Sequence, residues 1–140
     1  MNFRLTLLSI CTAFALTASA ESLGLIEAER VYQAYGRQEK SGDFAEYNGM
    51  ICYYQAEGAT EMTLLIEPLG VPDKAISLSI NPDGWQTKEC EEGKAWVYNA
   101  PDGSFDIAVM AVDNDDAMLS VSRKKKPTIC YLFSRTPIQQ

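Results

Sequence analysis

From Gly49 onward, apolar and polar residues alternate with a period of two, and turn-forming residues interrupt the alternation at short intervals. The alternation is clearest in residues 74–80, where Ile76, Leu78 and Ile80 are separated by serines. This pattern is typical of a strand with one buried face and one solvent-facing side. The connections are too short for parallel returns, each of which needs about a dozen residues. The chain is therefore expected to form an antiparallel sheet.

The alternation predicts eight strands separated by turns rich in Gly, Pro, Asn and Asp. They cover residues 50–54, 62–66, 74–80, 85–90, 95–98, 105–112, 117–122 and 128–133. Before them, Leu25, Ala28, Tyr32 and Tyr35 recur at helical spacing, which predicts a helix over about 23–40. The predicted fold is mainly β (α+β): an N-terminal helix followed by an antiparallel meander that forms a bent sheet, sandwich or small barrel.

The first 20 residues have the features of a cleaved secretory signal peptide. Arg4 precedes an apolar run over residues 5–18 that is too short to span a bilayer comfortably, and Ala18-Ser19-Ala20 supplies small residues for a signal peptidase. We therefore expect a periplasmic or secreted protein with no integral membrane span after cleavage. Residues 21–140 are predicted to form one globular domain, since they are too few for two.

Three cysteines, Cys52, Cys90 and Cys130, follow the predicted leader. An oxidising compartment favours a disulfide between two of them. Cys90 and Cys130 share their strand faces with polar residues, whereas Cys52 lies between apolar neighbours. This predicts a Cys90–Cys130 bridge with Cys52 as a buried thiol. If strand 50–54 lies beside strand 128–133, the bridge joins Cys52 and Cys130 instead.

The chain contains no histidine and carries a net charge of -7. The lack of histidine excludes Ser/His/Asp triads, Cys/His dyads and His-ligated zinc or haem. With no metal-ligand motif, phosphate-binding loop or CxxC pair either, the sequence predicts no catalytic residue, no metal and no cofactor. An acidic protein repels nucleic acid and attracts basic surfaces, so a basic protein is the expected partner. The basic run over residues 123–126 is predicted to be an exposed turn between the last two strands.

Two acidic turns and one aromatic residue are the predicted contact positions. The first turn holds Asp113, Asp115 and Asp116, at a spacing that does not fit an EF-hand calcium loop. The second holds Glu91 and Glu92, with Glu89 just before Cys90. Trp85 is predicted to be an exposed aromatic anchor beside them, because interfaces are enriched in such residues.

In general character, an exported, acidic, β-rich protein of this size is similar to small periplasmic enzyme inhibitors, such as lysozyme inhibitors and immunity proteins, although no motif carries the similarity. The leading hypothesis is a periplasmic inhibitor or immunity-type protein that binds and occludes a basic secreted enzyme degrading cell walls or lipids. One alternative is a small-ligand or lipid carrier with a lipocalin-like barrel. Its cavity would be lined by Phe105, Ile107, Val109, Ile129, Tyr131 and Phe133. The other is an envelope assembly component, suggested by the odd cysteine and the basic final segment.

Overall fold

A computed structural model describes residues 25–39 and 44–139 of the chain. They form a nine-stranded antiparallel sheet curled into a half-barrel, which confirms the prediction of a mainly β, antiparallel fold. The strands are β1 (Arg30–Glu39), β2 (Phe44–Gln55), β3 (Met62–Pro68), β4 (Ile76–Ile80), β5 (Gln86–Cys90), β6 (Gly93–Asn99), β7 (Phe105–Ala111), β8 (Asp116–Arg123) and β9 (Ile129–Pro137). Two single-turn 3-10 helices flank β4: η1 (Pro72–Lys74) and η2 (Pro82–Gly84).

The strands follow the order β4-β3-β2-β1-β9-β8-β7-β6-β5 across the sheet. Two meanders, β1 to β4 and β5 to β9, are joined side by side where β1 pairs with β9, with Ala34 opposite Phe133 and Arg37 opposite Tyr131. The two edge strands, β4 and β5, are consecutive in the chain. We call the unpaired boundary between β4 and β5 the seam. β4 and β5 are therefore the two free edges of the sheet; they run in the same direction and are joined by residues 81–85.

The helix predicted over 23–40 is wrong in the part of that segment that the structure describes. Residues 30–39 form β1, and no α-helix occurs within residues 25–39 and 44–139. Tyr32 is 1 % exposed, whereas Tyr35 is 39 % exposed, so the two rings lie on opposite faces and not on one helical stripe. Pairing with β2 on one side and β9 on the other satisfies the backbone of β1, and this tertiary context overrides local helical spacing. The predicted signal peptide, residues 1–20, lies outside the described residues.

The hydrophobic core occupies the concave face and also fills the seam from inside. Trp85, just before β5, packs against Tyr53 of β2 and Tyr98 of β6, with ring centroids 6.4 and 5.8 Å away. Its Nε1 donates a 3.4 Å hydrogen bond to the Tyr53 hydroxyl, and the Tyr98 hydroxyl accepts one of 3.0 Å from the Asn81 backbone. Trp85 is 8 % exposed. The prediction that Trp85 is an exposed contact residue is therefore wrong.

The side chains predicted to line a lipocalin-like cavity belong instead to this packed core. Four of them are buried in it, and the other two pack against it; the buried ones are Ile107, Val109, Tyr131 and Phe133, and the partly buried ones are Phe105 and Ile129. Tyr131 and Ile129 also border a cleft at one end of the sheet. The space beside Ile129 and Tyr131 is therefore a cleft at the end of the half-barrel and not an internal cavity.

Candidate functional site

The two acidic turns lie side by side at one end of the sheet. One turn connects β5 to β6 and the other connects β7 to β8. Because Ala95 near the start of β6 pairs with Met110 near the end of β7, both hairpins end at the same edge of the sheet. We call this set of carboxylates the acidic rim: Glu89, Glu91, Glu92, Asp113, Asp115 and Asp116. The structure thus brings together the six acidic residues that the sequence singled out separately.

Hydrogen bonds hold the β7–β8 turn in one conformation. The Asp113 carboxylate accepts hydrogen bonds from the backbone N–H groups of Asp115 at 2.8 Å and Asp116 at 2.7 Å. From β9, the Arg135 guanidinium donates to the Asp113 carbonyl at 3.0 Å, and its backbone N–H donates to the Asp115 carbonyl at 2.8 Å. Short polar side chains fix turns in this way. The carboxylates of this turn therefore project from an ordered backbone.

Tyr35 is an exposed aromatic residue beside the acidic rim. The predicted helix had placed Tyr35 on its apolar stripe, so the sequence did not predict this exposure. Desolvation and a hydrogen bond to the Asp116 carboxylate, together with the charges of Asp113 and Asp115, raise the pKa of Tyr35 to about 12. Val112, in the same acidic turn, is 55 % exposed. Because β1 is a strand, the Tyr35 side chain points outward. Tyr35, and not Trp85, is therefore the exposed aromatic residue beside the acidic rim.

A row of half-buried apolar side chains crosses the convex face next to the rim. Met118 of β8 lies between Leu132 of β9 and Met110 of β7 in the sheet register. These three alternate along their strands with core residues, so they face outward. Leu132 lies opposite Gly36, the neighbour of Tyr35. We call Met110, Met118 and Leu132 the convex row; an apolar patch bordered by charged groups is typical of a protein-binding surface.

The opposite end of the sheet is basic. β8 runs from Asp116 at the rim to Arg123, and the basic run that follows forms the exposed turn before β9, as predicted. A cleft of about 680 Å³ opens beside this turn. We call it the end cleft. Its inner side includes Arg37, Arg123 and Tyr131, and its outer side is the segment from Pro68 to Ile76.

Two arginines and two tyrosines form the inner side of the end cleft. The rings of Tyr47 and Tyr131 meet edge to face, with centroids 5.2 Å apart. Burial raises the pKa of Tyr131, and the positive charges of Arg37 and Arg123 oppose that rise. Arg37 lies opposite Tyr131 in the β1–β9 pairing, and both arginines line the same cleft as the Tyr131 ring. The sequence did not single out this group, because its members come from four different strands.

The predicted disulfide is not present. Cys52, Cys90 and Cys130 are free thiols. The strands of Cys90 and Cys130 are four strand spacings apart, about 19 Å along the curled sheet, whereas a disulfide requires Cα atoms within about 7 Å. Cys52 and Cys130 lie opposite Val31 and Gln38 of β1, which are about 23 Å apart along the strand. The alternative Cys52–Cys130 bridge is therefore absent as well.

Cys52 is expected to react slowly with iodoacetamide at pH 8. Burial, and secondarily the charge of Glu67, raises the pKa of this thiol, and the thiolate is the reactive form. Peptide mapping of the alkylated protein should show several-fold slower modification of Cys52 in the native state than in urea. The substitution Glu67→Gln should increase the native rate. Equal rates for Cys52 in the native and unfolded protein would contradict the burial of its thiol.

Within the two described ranges, no group of three or more Cys, Asp or Glu side chains could hold a metal ion. In the same part of the chain, no helix is long and apolar enough to cross a membrane. In comparisons with known proteins, no family model, no curated protein and no solved structure matches this chain.

Proposed function

We propose that this protein is an exported inhibitor or immunity-type protein that binds a basic secreted enzyme and occludes its active site or substrate groove. The observation that carries the proposal is the acidic rim, formed by two adjacent hairpin turns at one end of a half-barrel. The proposal includes cleavage of residues 1–20 and a periplasmic or secreted location, where enzymes that degrade cell walls or lipids act. The protein itself works by binding, without turnover.

Charge separation along the molecule supports fast association with a basic partner. The acidic rim lies at one end of β8, and the basic turn after Arg123 lies at the other end. Such a field orients an approaching cationic surface toward the rim and raises association rates by about 10- to 1000-fold at low salt. Because exposed charges are screened by salt, the gain is expected to decrease with ionic strength.

Apolar contacts beside the rim would supply most of the affinity. Tyr35 and the convex row offer an aromatic ring and flexible thioether side chains, which are enriched at protein interfaces. The β7–β8 turn is already ordered by its hydrogen bonds to Arg135, so binding would not require it to lose much conformational freedom. The rim would act mainly on the association rate, and Tyr35 on the lifetime of the complex.

The test is affinity capture of secreted bacterial enzymes, followed by association kinetics and activity assays with the captured protein. We expect the wild-type protein to capture a basic hydrolase and to inhibit it at equimolar concentration. The triple variant Asp113→Asn, Asp115→Asn, Asp116→Asn should lower the association rate constant at least tenfold at low salt. The asparagine introduced at position 113 retains a side-chain oxygen that can accept the turn hydrogen bonds, so the change removes charge with little change of turn geometry.

A matched control removes three exposed carboxylates at the opposite end of the sheet: Asp73→Asn in η1, Asp102→Asn in the β6–β7 turn and Asp106→Asn at the start of β7. This control should associate at close to the wild-type rate. Tyr35→Ala should mainly increase the dissociation rate. The proposal fails if no captured enzyme loses activity on binding, or if the rim variant and the control associate equally fast.

A further inference from the structure

We infer that the end cleft is a binding site for a small organic anion with an apolar chain, such as an alkyl carboxylate or an alkyl phosphate monoester. This inference is independent of the acidic rim, which lies at the other end of β8. The site differs from a lipocalin-like interior, because it opens at the end of the half-barrel and leaves the concave core filled.

The distribution of charge in the cleft favours an anion. Although the chain has a net charge of -7, the cleft is lined by the cations Arg37, Lys74 and Arg123 and by the anions Glu46 and Asp73. The two arginines are half-buried, whereas both carboxylates are exposed to solvent. The inner part of the cleft is therefore more positive than its outer edge. Guanidinium groups bind carboxylate and phosphate through paired hydrogen bonds, which suits such a position.

The rest of the lining favours an apolar group attached to the anion. Ile76 and Ile129, both half-buried, contribute aliphatic surface to the cleft. Leu69 is 65 % exposed and Val71 38 % exposed, and both border the cleft from the loop after β3. When an apolar ligand group covers such exposed side chains, the removal of apolar surface from water lowers the free energy of the complex. The volume, about 680 Å³, is within the usual range for small-molecule sites.

The cleft is also built before any ligand arrives. On the outer side, the Leu69 backbone N–H donates to the Asn48 carbonyl at 2.8 Å, and the Ala75 N–H donates to the Pro72 carbonyl at 3.1 Å. On the inner side, the ring of Tyr47 lies across Gly49, where a Cβ atom would come 2.7 Å from the Tyr47 hydroxyl. Ordered walls reduce the entropy lost on binding.

The experiment measures binding by isothermal titration calorimetry with four probes below their micelle concentrations: decanoate, decyl phosphate, decanol and inorganic phosphate. We expect saturable 1:1 binding of decanoate, decyl phosphate or both, and at least tenfold weaker binding of decanol and inorganic phosphate. The first two probes distinguish a carboxylate site from a phosphate site. Binding of decanol as tight as that of decanoate would overturn the inference, and so would the absence of saturable binding by both anionic amphiphiles.

Two variants with the same charge change locate the site. Arg123→Gln removes a cation that lines the cleft, and Lys126→Gln removes one from the turn that follows Arg123 and does not line the cleft. Arg123→Gln should weaken binding at least tenfold, and Lys126→Gln less than twofold, with thermal unfolding confirming that both variants are folded. Equal losses of affinity in the two variants would show that the basic turn as a whole attracts the anion, and would contradict binding in the end cleft. The triple rim variant should bind decanoate as tightly as the wild type does. Anion binding by the end cleft can therefore be confirmed or rejected independently of the proposed inhibitor function.

Discussion

Replacement of Trp85 by alanine is expected to lower the free energy of unfolding by about 3–5 kcal/mol. Trp85 contacts Tyr53 from one meander and Tyr98 from the other, at the position where β4 and β5 do not pair. No backbone hydrogen bonds between those edge strands can compensate for the lost side chain. The alanine variant would leave a cavity between the two sides of the seam, and the surrounding rings can only partly fill it.

Urea denaturation measures this effect, with a shift of the midpoint at unchanged slope as the expected result. Trp85→Phe should cost less, roughly 1–2 kcal/mol, because a ring remains and the 3.4 Å hydrogen bond to Tyr53 is long. Leu69→Ala is the surface control, since Leu69 is largely exposed; its effect should stay within about 0.5 kcal/mol. Equal stabilities of the Trp85→Ala and Leu69→Ala variants would show that Trp85 does not hold the seam together.

Gly49→Ala is expected to destabilise the protein by about 1–3 kcal/mol. A Cβ atom at this position would collide with the Glu67 carbonyl of β3, and it would lie 2.9 Å from the Pro68 Cα and 2.7 Å from the Tyr47 hydroxyl. The first two contacts are with backbone atoms of the paired strand, so relief requires β2 and β3 to separate locally. Thermal or urea unfolding measures the loss.

A double-mutant cycle with Tyr47→Phe divides this loss into two parts. The Tyr47 hydroxyl is buried with no hydrogen-bond partner among the described residues, so removing it should cost little. Gly49→Ala should then be less destabilising in the Tyr47→Phe background than in the wild type, because one of the three close contacts has gone. It should remain destabilising, because both backbone contacts persist. An identical loss in the two backgrounds would show that the Tyr47 hydroxyl does not lie over Gly49.

Most of strands β2 to β9 were predictable because their apolar residues alternate and turn residues separate them, whereas β5 is polar and was marked mainly by the turns on either side. In residues 76–80, the burial of Leu78 and Ile80 beside exposed serines follows the sequence pattern directly. β1 was not predictable in this way. Tyr32 and Tyr35 fit a helical period, and the competing period of two, through Tyr32, Ala34 and Gly36, includes small residues that carry little hydrophobic weight.

Of the candidate sites, only the groups of residues that are close together in the sequence were predictable. The acidic turns follow from residues such as Asp113 and Asp115 at a hairpin position, but their adjacency depends on the register of β6 against β7. The disulfide prediction failed because strand order, which a single sequence does not determine, separates the cysteines. The end cleft depends on the β1–β9 pairing, which brings Arg37 beside Tyr131 although 93 positions separate them in the chain.

The pairing of β1 with β9 also has a consequence for biogenesis. The first described strand and the last lie side by side in the middle of the sheet, so neither meander can complete its hydrogen bonding until both have been synthesised. Joining strands so distant in sequence carries a large loop-closure entropy and slows folding. We therefore expect the complete sheet to form only after β9 has been synthesised, so that a chain lacking β9 would leave β1 and β8 as unpaired edges.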